Sequence, residues 1–90
     1  METRPNLPIQ VLSFCGTDGR LQPLRFRLED EEHQLQTVSI QEIVSVNEVQ
    51  YVGIEALVFL CKAQLGGRER LLELRYTIRT HRWVLRRLVY

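Results

Sequence analysis

Between residues 22 and 29 the chain alternates strictly, with Leu24, Phe26 and Leu28 at even positions and Arg25 and Arg27 at odd ones. A repeat of two separates the faces of a β-strand and is useless to a helix, whose faces recur every 3.6 residues. The same alternation returns near the C-terminus, where Leu72, Leu74, Tyr76 and Ile78 interleave with Glu73, Arg75 and Thr77. These segments commit the chain to β structure at both ends and make all-β the expected class.

Turn chemistry supplies the connections. Residues 9–14 (IQVLSF) are rich in strand formers and run into Cys15-Gly16-Thr17-Asp18-Gly19, where glycine and aspartate allow a tight reversal into the strand at 22–29. Pro23 has no N–H for a ladder and belongs at the start of that strand or on an edge. The acidic run Glu29, Asp30, Glu31 and Glu32 has nothing apolar to bury and reads as a solvated hairpin tip. It lacks the spaced oxygen ligands and central glycine of a calcium loop.

The middle is more ambiguous. Residues 35–46 (LQTVSIQEIVSV) favour strand by composition, yet Ile43, Val44 and Val46 blur the period, and Ser39 to Glu42 has the spacing of a helix capping box. Residues 54–65 (IEALVFLCKAQL) place Ile54, Leu57, Val58, Cys61 and Leu65 at helical spacing, with Gly66-Gly67 as a cap; alternatively 57–63 is a buried strand and Gly66-Gly67 a hairpin turn. Strand is preferred, because the next segment is a strand that needs a partner. Thr80-His81 then turns into a last strand at 83–89.

The expected architecture is a six-strand antiparallel meander curled into a small barrel or half-barrel, since closure hides edge strands in a short chain. Ninety residues allow one core, so 1–90 is a single domain, with 1–7 as a flexible N-terminus. An apolar fraction of 44% with 26% charged residues is that of a folded globule, not a disordered chain. The longest apolar-rich run, 54–60, contains Glu55 and falls far short of the ~20 residues that span a bilayer, so no membrane partner is expected. METRPNLP has an acid and two prolines where a secretory signal needs basic and then apolar residues, which predicts a cytoplasmic protein with reduced cysteines.

Net charge of +1 conceals an asymmetry: residues 1–65 carry five basic side chains against nine acids, and residues 66–90 carry seven arginines against Glu69 and Glu73. Acidic and basic strands can lie side by side and neutralise. On that reading the arginines pair with residues 29–32 and the other acids of the first part. The other reading makes Arg68, Arg70, Arg75, Arg79, Arg82, Trp83 and Arg86 a binding face, with Arg87 beside it, on which aromatic rings and arginines hold single-stranded nucleic acid. Trp83 decides between them: as a core plug it is unavailable, as a surface platform with Tyr76 it would stack bases.

Catalytic signals are absent. Ser13, Ser39 and Ser45 lie in strands without a nucleophile elbow, and the glycines precede strands where a phosphate loop would precede a helix. Cys15, His33, Cys61 and His81 supply a numerical Cys2His2 set without any paired knuckle. No enzyme activity, cofactor or metal is expected.

Gly19-x-x-x-Pro23-x-x-Phe26, Val38-x-x-x-Glu42-Ile43, Glu73-Leu74-Arg75-Tyr76 and Trp83-x-Leu85-x-Arg87 together resemble a family of small bacterial β domains. Members stand alone or, in related form, sit at the C-terminal end of translesion polymerase-like proteins. The resemblance spans about residues 8–88, apart from the acidic tip and a linker at 46–55. It implies an antiparallel β fold and an association with DNA-handling proteins, and supplies no catalytic residues. The expected role is a non-catalytic interaction or accessory module of a bacterial cytoplasm, with a protein or a second copy as partner. Single-stranded nucleic-acid binding is the alternative.

Overall fold

Each strong alternation in the sequence becomes a strand. The structure is a computed structural model that describes residues 6–89. Most of the expected flexible N-terminus thus lies outside the described residues, whereas Leu7 already opens the first strand. The elements in chain order are β1 (Leu7–Cys15), β2 (Leu21–Glu29), β3 (Leu35–Tyr51), β4 (Ile54–Leu65), β5 (Arg68–Thr77) and β6 (Arg82–Leu88). All neighbours are antiparallel, and β6 returns to β1, so the sheet closes into a barrel. No helix forms at 40–46 or 54–65; both belong to strands of the β3–β4 hairpin.

The reversals are short and use left-handed backbone. Gly66 and Gly67 have φ of +64° and +77°, the pattern of a two-residue turn that matches strand twist. The β3–β4 turn, Val52-Gly53, has the same geometry at +52° and +79°, but places a β-branched residue where glycine or asparagine is cheapest. Residues 46–55, expected as a linker, are the end of β3, this turn and the start of β4.

Single-residue bulges curve the strands and explain where the period blurs. In β3, Gln41 and Val44 have no partner in β4: Ile40 pairs with Ala63 and Glu42 with Lys62, then Ile43 with Cys61 and Ser45 with Leu60. Each bulge moves the next side chain to the other face, which is how Val38, Ile40 and Ile43 all reach the interior. In β2 the extra residue is Leu24, since Leu12 pairs with Arg25 and Ser13 with Pro23. Pro23 therefore takes the buried position that the alternation assigned to Leu24, which is 46% exposed. In β6 the extra residue is Arg86. Ile78, expected on the inner face of β5, lies in the turn beyond it and is 41% exposed.

The interior is built from Phe26, Val38, Phe59, Cys61, Ala63, Leu72, Leu74, Trp83 and Leu85. Trp83 is buried, its ring centroid 5.4 Å from Phe59 and 4.9 Å from Tyr76, in tilted geometries worth roughly 0.5–1.5 kcal/mol each beyond the area they bury. Burial pushes the Cys61 thiol up to about 12, so it stays a neutral core group.

Candidate interaction surface

The arginine-rich hairpin is dispersed by the ladder that builds it. Arg68 and Arg70 pair with Leu65 and Ala63 at the start of β5, and Arg79 lies in the turn beyond its other end, roughly 30 Å away at about 3.3 Å per residue. Arg75 is half-buried and in register between Val58 and Val84, and its Nε is buried with no hydrogen-bond partner among the described residues. Arg82 is exposed at the start of β6. Trp83 points into the barrel. Its ring is buried at tilted angles against Phe59 and Tyr76, which makes it a core plug and not an exposed stacking surface.

Arg86 and Arg87 meet Glu73. The bulge at Arg86 sets both arginines opposite this one residue, with Arg86 Nη1 2.7 Å and Arg87 Nε 2.5 Å from its Oε1. Partial burial raises the Glu73 carboxyl, but the hydrogen bonds and positive charges of Arg87 and Arg86 outweigh that and hold it below the ordinary glutamate range. Compensation therefore comes from within residues 66–90. The expected pairing with the acidic tip does not occur among the described residues: Glu29 binds His33 at 2.7 Å, and Asp30 accepts the N–H groups of Glu32 and Gln34 and the Gln36 amide. The Gln34 N–H is the main reason that the Asp30 carboxyl sits below its usual range, against slight desolvation and with help from Gln36 and Glu32. This tip is a turn stapled by its own side chains.

The histidines and cysteines are kept apart. Cys15 is exposed at the end of β1, Cys61 is in the core, His33 is on the β2–β3 turn, and His81 Nδ1 lies 2.7 Å from the Tyr76 hydroxyl on the β5–β6 turn. Among the described residues no group of histidine, cysteine or carboxylate side chains is arranged to hold a metal. No helix among them is long and apolar enough to cross a membrane.

What sequence reasoning missed is the β3–β4 arm. The ladder from β2 to β3 stops at Arg25–Ser39, while β3 continues alongside β4 to Tyr51. Pro23 helps end it, because a residue without an N–H cannot extend a ladder. Along residues 41–51 no strand among the described residues lies on the far side of β3, which leaves an open edge. The arm exposes Val44, Val46, Val49, Val52 and Ile54, and residues 46–50 are exposed in succession, so both faces of the ribbon are wet there. Glu48 and Glu55 stand in it without a salt bridge among the described residues, and Glu42 meets Lys62 only at 3.8 Å with both side chains exposed. In the sequence the sign was NEVQYVGIE, apolar residues interleaved with acids and amides around a Val-Gly turn; polar content disguised it as a linker.

Comparison of the chain with protein-family models, with curated proteins and with solved structures finds no match.

Proposed function

We propose that this domain is a non-catalytic interaction or accessory module whose partner is a protein. The observation that carries this reading is the concentration of exposed apolar side chains, Val44, Val46, Val49, Val52 and Ile54, on one hairpin that extends an open strand edge. Scattered exposed apolar residues need no explanation, but five of them spread over both faces of one hairpin, beside an unpaired edge, support an association surface. Val52 strengthens it: 83% exposed at φ +52°, it keeps a branched apolar group at the arm's tip at a conformational cost of about 1–2 kcal/mol. Selection for stability alone would remove both features.

Nucleic-acid binding has less support, since Trp83 is interior and two of the arginines are engaged by Glu73. A bacterial cytoplasm and a place beside DNA-handling proteins follow from the family resemblance and belong to the same proposal. The test is affinity capture from extract with the wild-type domain and with Val46→Ser/Val49→Ser. These positions are exposed, so the variant should stay folded. Proteins retained by wild type and lost from the variant are expected; identical retention, or none, counts against the arm.

A further inference from the structure

We propose that the open edge of β3 takes up an extended, basic segment of a partner protein as an additional antiparallel or parallel strand, with residues 45–51 as the docking rail. This rests on the interaction-module reading and adds to it the site, the binding mode and the partner's chemistry.

Backbone comes first. From Ser45 to Tyr51 the register with β4 is unbroken, running from Ser45–Leu60 to Tyr51–Ile54. An unbulged strand aims alternate N–H and C=O groups away from its one neighbour, and these form a ready ladder for another strand. Proteins blunt such edges with bulges, proline or lysine. Here the bulges at Gln41 and Val44 lie before the regular stretch, and residues 45–51 contain no proline and no basic side chain.

Charge then selects the occupant. Over its whole length β3 carries Glu42 and Glu48 and no lysine or arginine, and Glu55 follows on β4 opposite Gln50. A second copy pairing edge to edge through β3 would line the seam with carboxylates from both chains and no cation between them, a destabilising arrangement. A strand that alternates lysine or arginine with aliphatic residues supplies what is missing: cations on the face that carries Glu48, which Val46 and Glu55 share, and apolar side chains on the opposite face, which carries Val49. The open edge of β1 at residues 10–15, with exposed Leu12 and Phe14, is shorter and carries no charge to select a partner.

The probe is a short labelled peptide alternating lysine and valine, compared with a glutamate-valine peptide and with a lysine-valine peptide N-methylated at alternate residues. Expected are binding of the first, none of the second, and roughly tenfold or more weaker binding of the third, because a few ladder hydrogen bonds at about 1 kcal/mol each are lost. Amide exchange of the complex should show new protection at those amides of residues 45–51 not bonded to β4. Glu48→Lys should weaken the peptide without altering the fold.

Equal binding of the N-methylated peptide would reduce the effect to non-directional charge attraction and overturn the proposal. So would protection at residues 10–15 in place of 45–51. Concentration-dependent protection of 45–51 in the protein alone would assign the edge to a second copy and overturn it too. None of these touches the capture result: proteins lost with Val46→Ser/Val49→Ser would still support an interaction module, whereas peptide binding with empty captures would defeat that reading on its own.

Discussion

Arg86 is the extra residue of a β-bulge, and the bulge is what brings its guanidinium to Glu73, 2.7 Å away on the neighbouring strand, beside that of Arg87. One backbone irregularity thus bends β6 for closure, sends Leu88 back toward the core and neutralises part of the most basic region of the chain.

Glu73→Gln should cost about 1 kcal/mol at neutral pH, since the arginine side chains are 43% and 60% exposed and water takes up part of the loss. Glu73 protonates at lower pH in the folded protein than in the unfolded chain. Its stabilisation is therefore fully present above the ordinary glutamate range and is lost as pH falls through the folded value. Urea melts of both proteins across the acid range check this: the difference should vanish in acid, and a difference that persists unchanged there would remove the ion pair as its cause.

Trp83→Ala should cost about 3–5 kcal/mol, a large share of the roughly 5–15 kcal/mol typical of a domain. The buried ring packs against Phe59 and Tyr76, and its removal leaves a cavity beside them. A denaturation midpoint equal to that of wild type would place the ring outside the core.

Val52→Asn should stabilise the domain by about 1 kcal/mol, because asparagine tolerates the left-handed backbone that valine does not. If the arm is an association surface, the same change should weaken protein capture. Thermal melts and captures on one preparation read both; a variant no more stable than wild type would mean that the turn carries no strain.

Much of the barrel was legible because alternation and turn chemistry are local. Phe26 and Leu28, Leu72 and Leu74, and Gly66-Gly67 point to their places without reference to the rest of the chain. Bulges were not legible as such. Ile43, Val44 and Val46 blur the period because Gln41 and Val44 are extra residues, and only the partner strand reveals which residue is extra. Leu24 was misplaced for the same reason, Pro23 having the inner position. For the arginines, residue type shows a charge excess, but the length of β5 and the carboxylate of Glu73 determine how they are spaced and which are paired. The arm was underread, since an unpaired edge is a property of neighbours that the sequence does not display.

Single-stranded oligonucleotides should bind more weakly than about 10⁻⁴ M at physiological salt, below the usual range for non-specific nucleic-acid affinity. Fluorescence anisotropy at low and moderate salt checks this, with Arg79→Glu and Arg82→Glu as exposed charge reversals. Micromolar binding that both reversals abolish would reinstate the arginine-rich hairpin as a nucleic-acid face.

Placing a photo-crosslinking amino acid at position 49 on the arm, and in a separate protein at position 14 on β1, tests the central claim most directly. Val49 and Phe14 are both exposed, at 40% and 54%, so accessibility alone does not favour the arm. Irradiation in producing cells should give discrete protein adducts at position 49 and none at position 14. Adducts at position 14 alone, or nucleic acid in place of protein at position 49, would contradict a protein-binding arm.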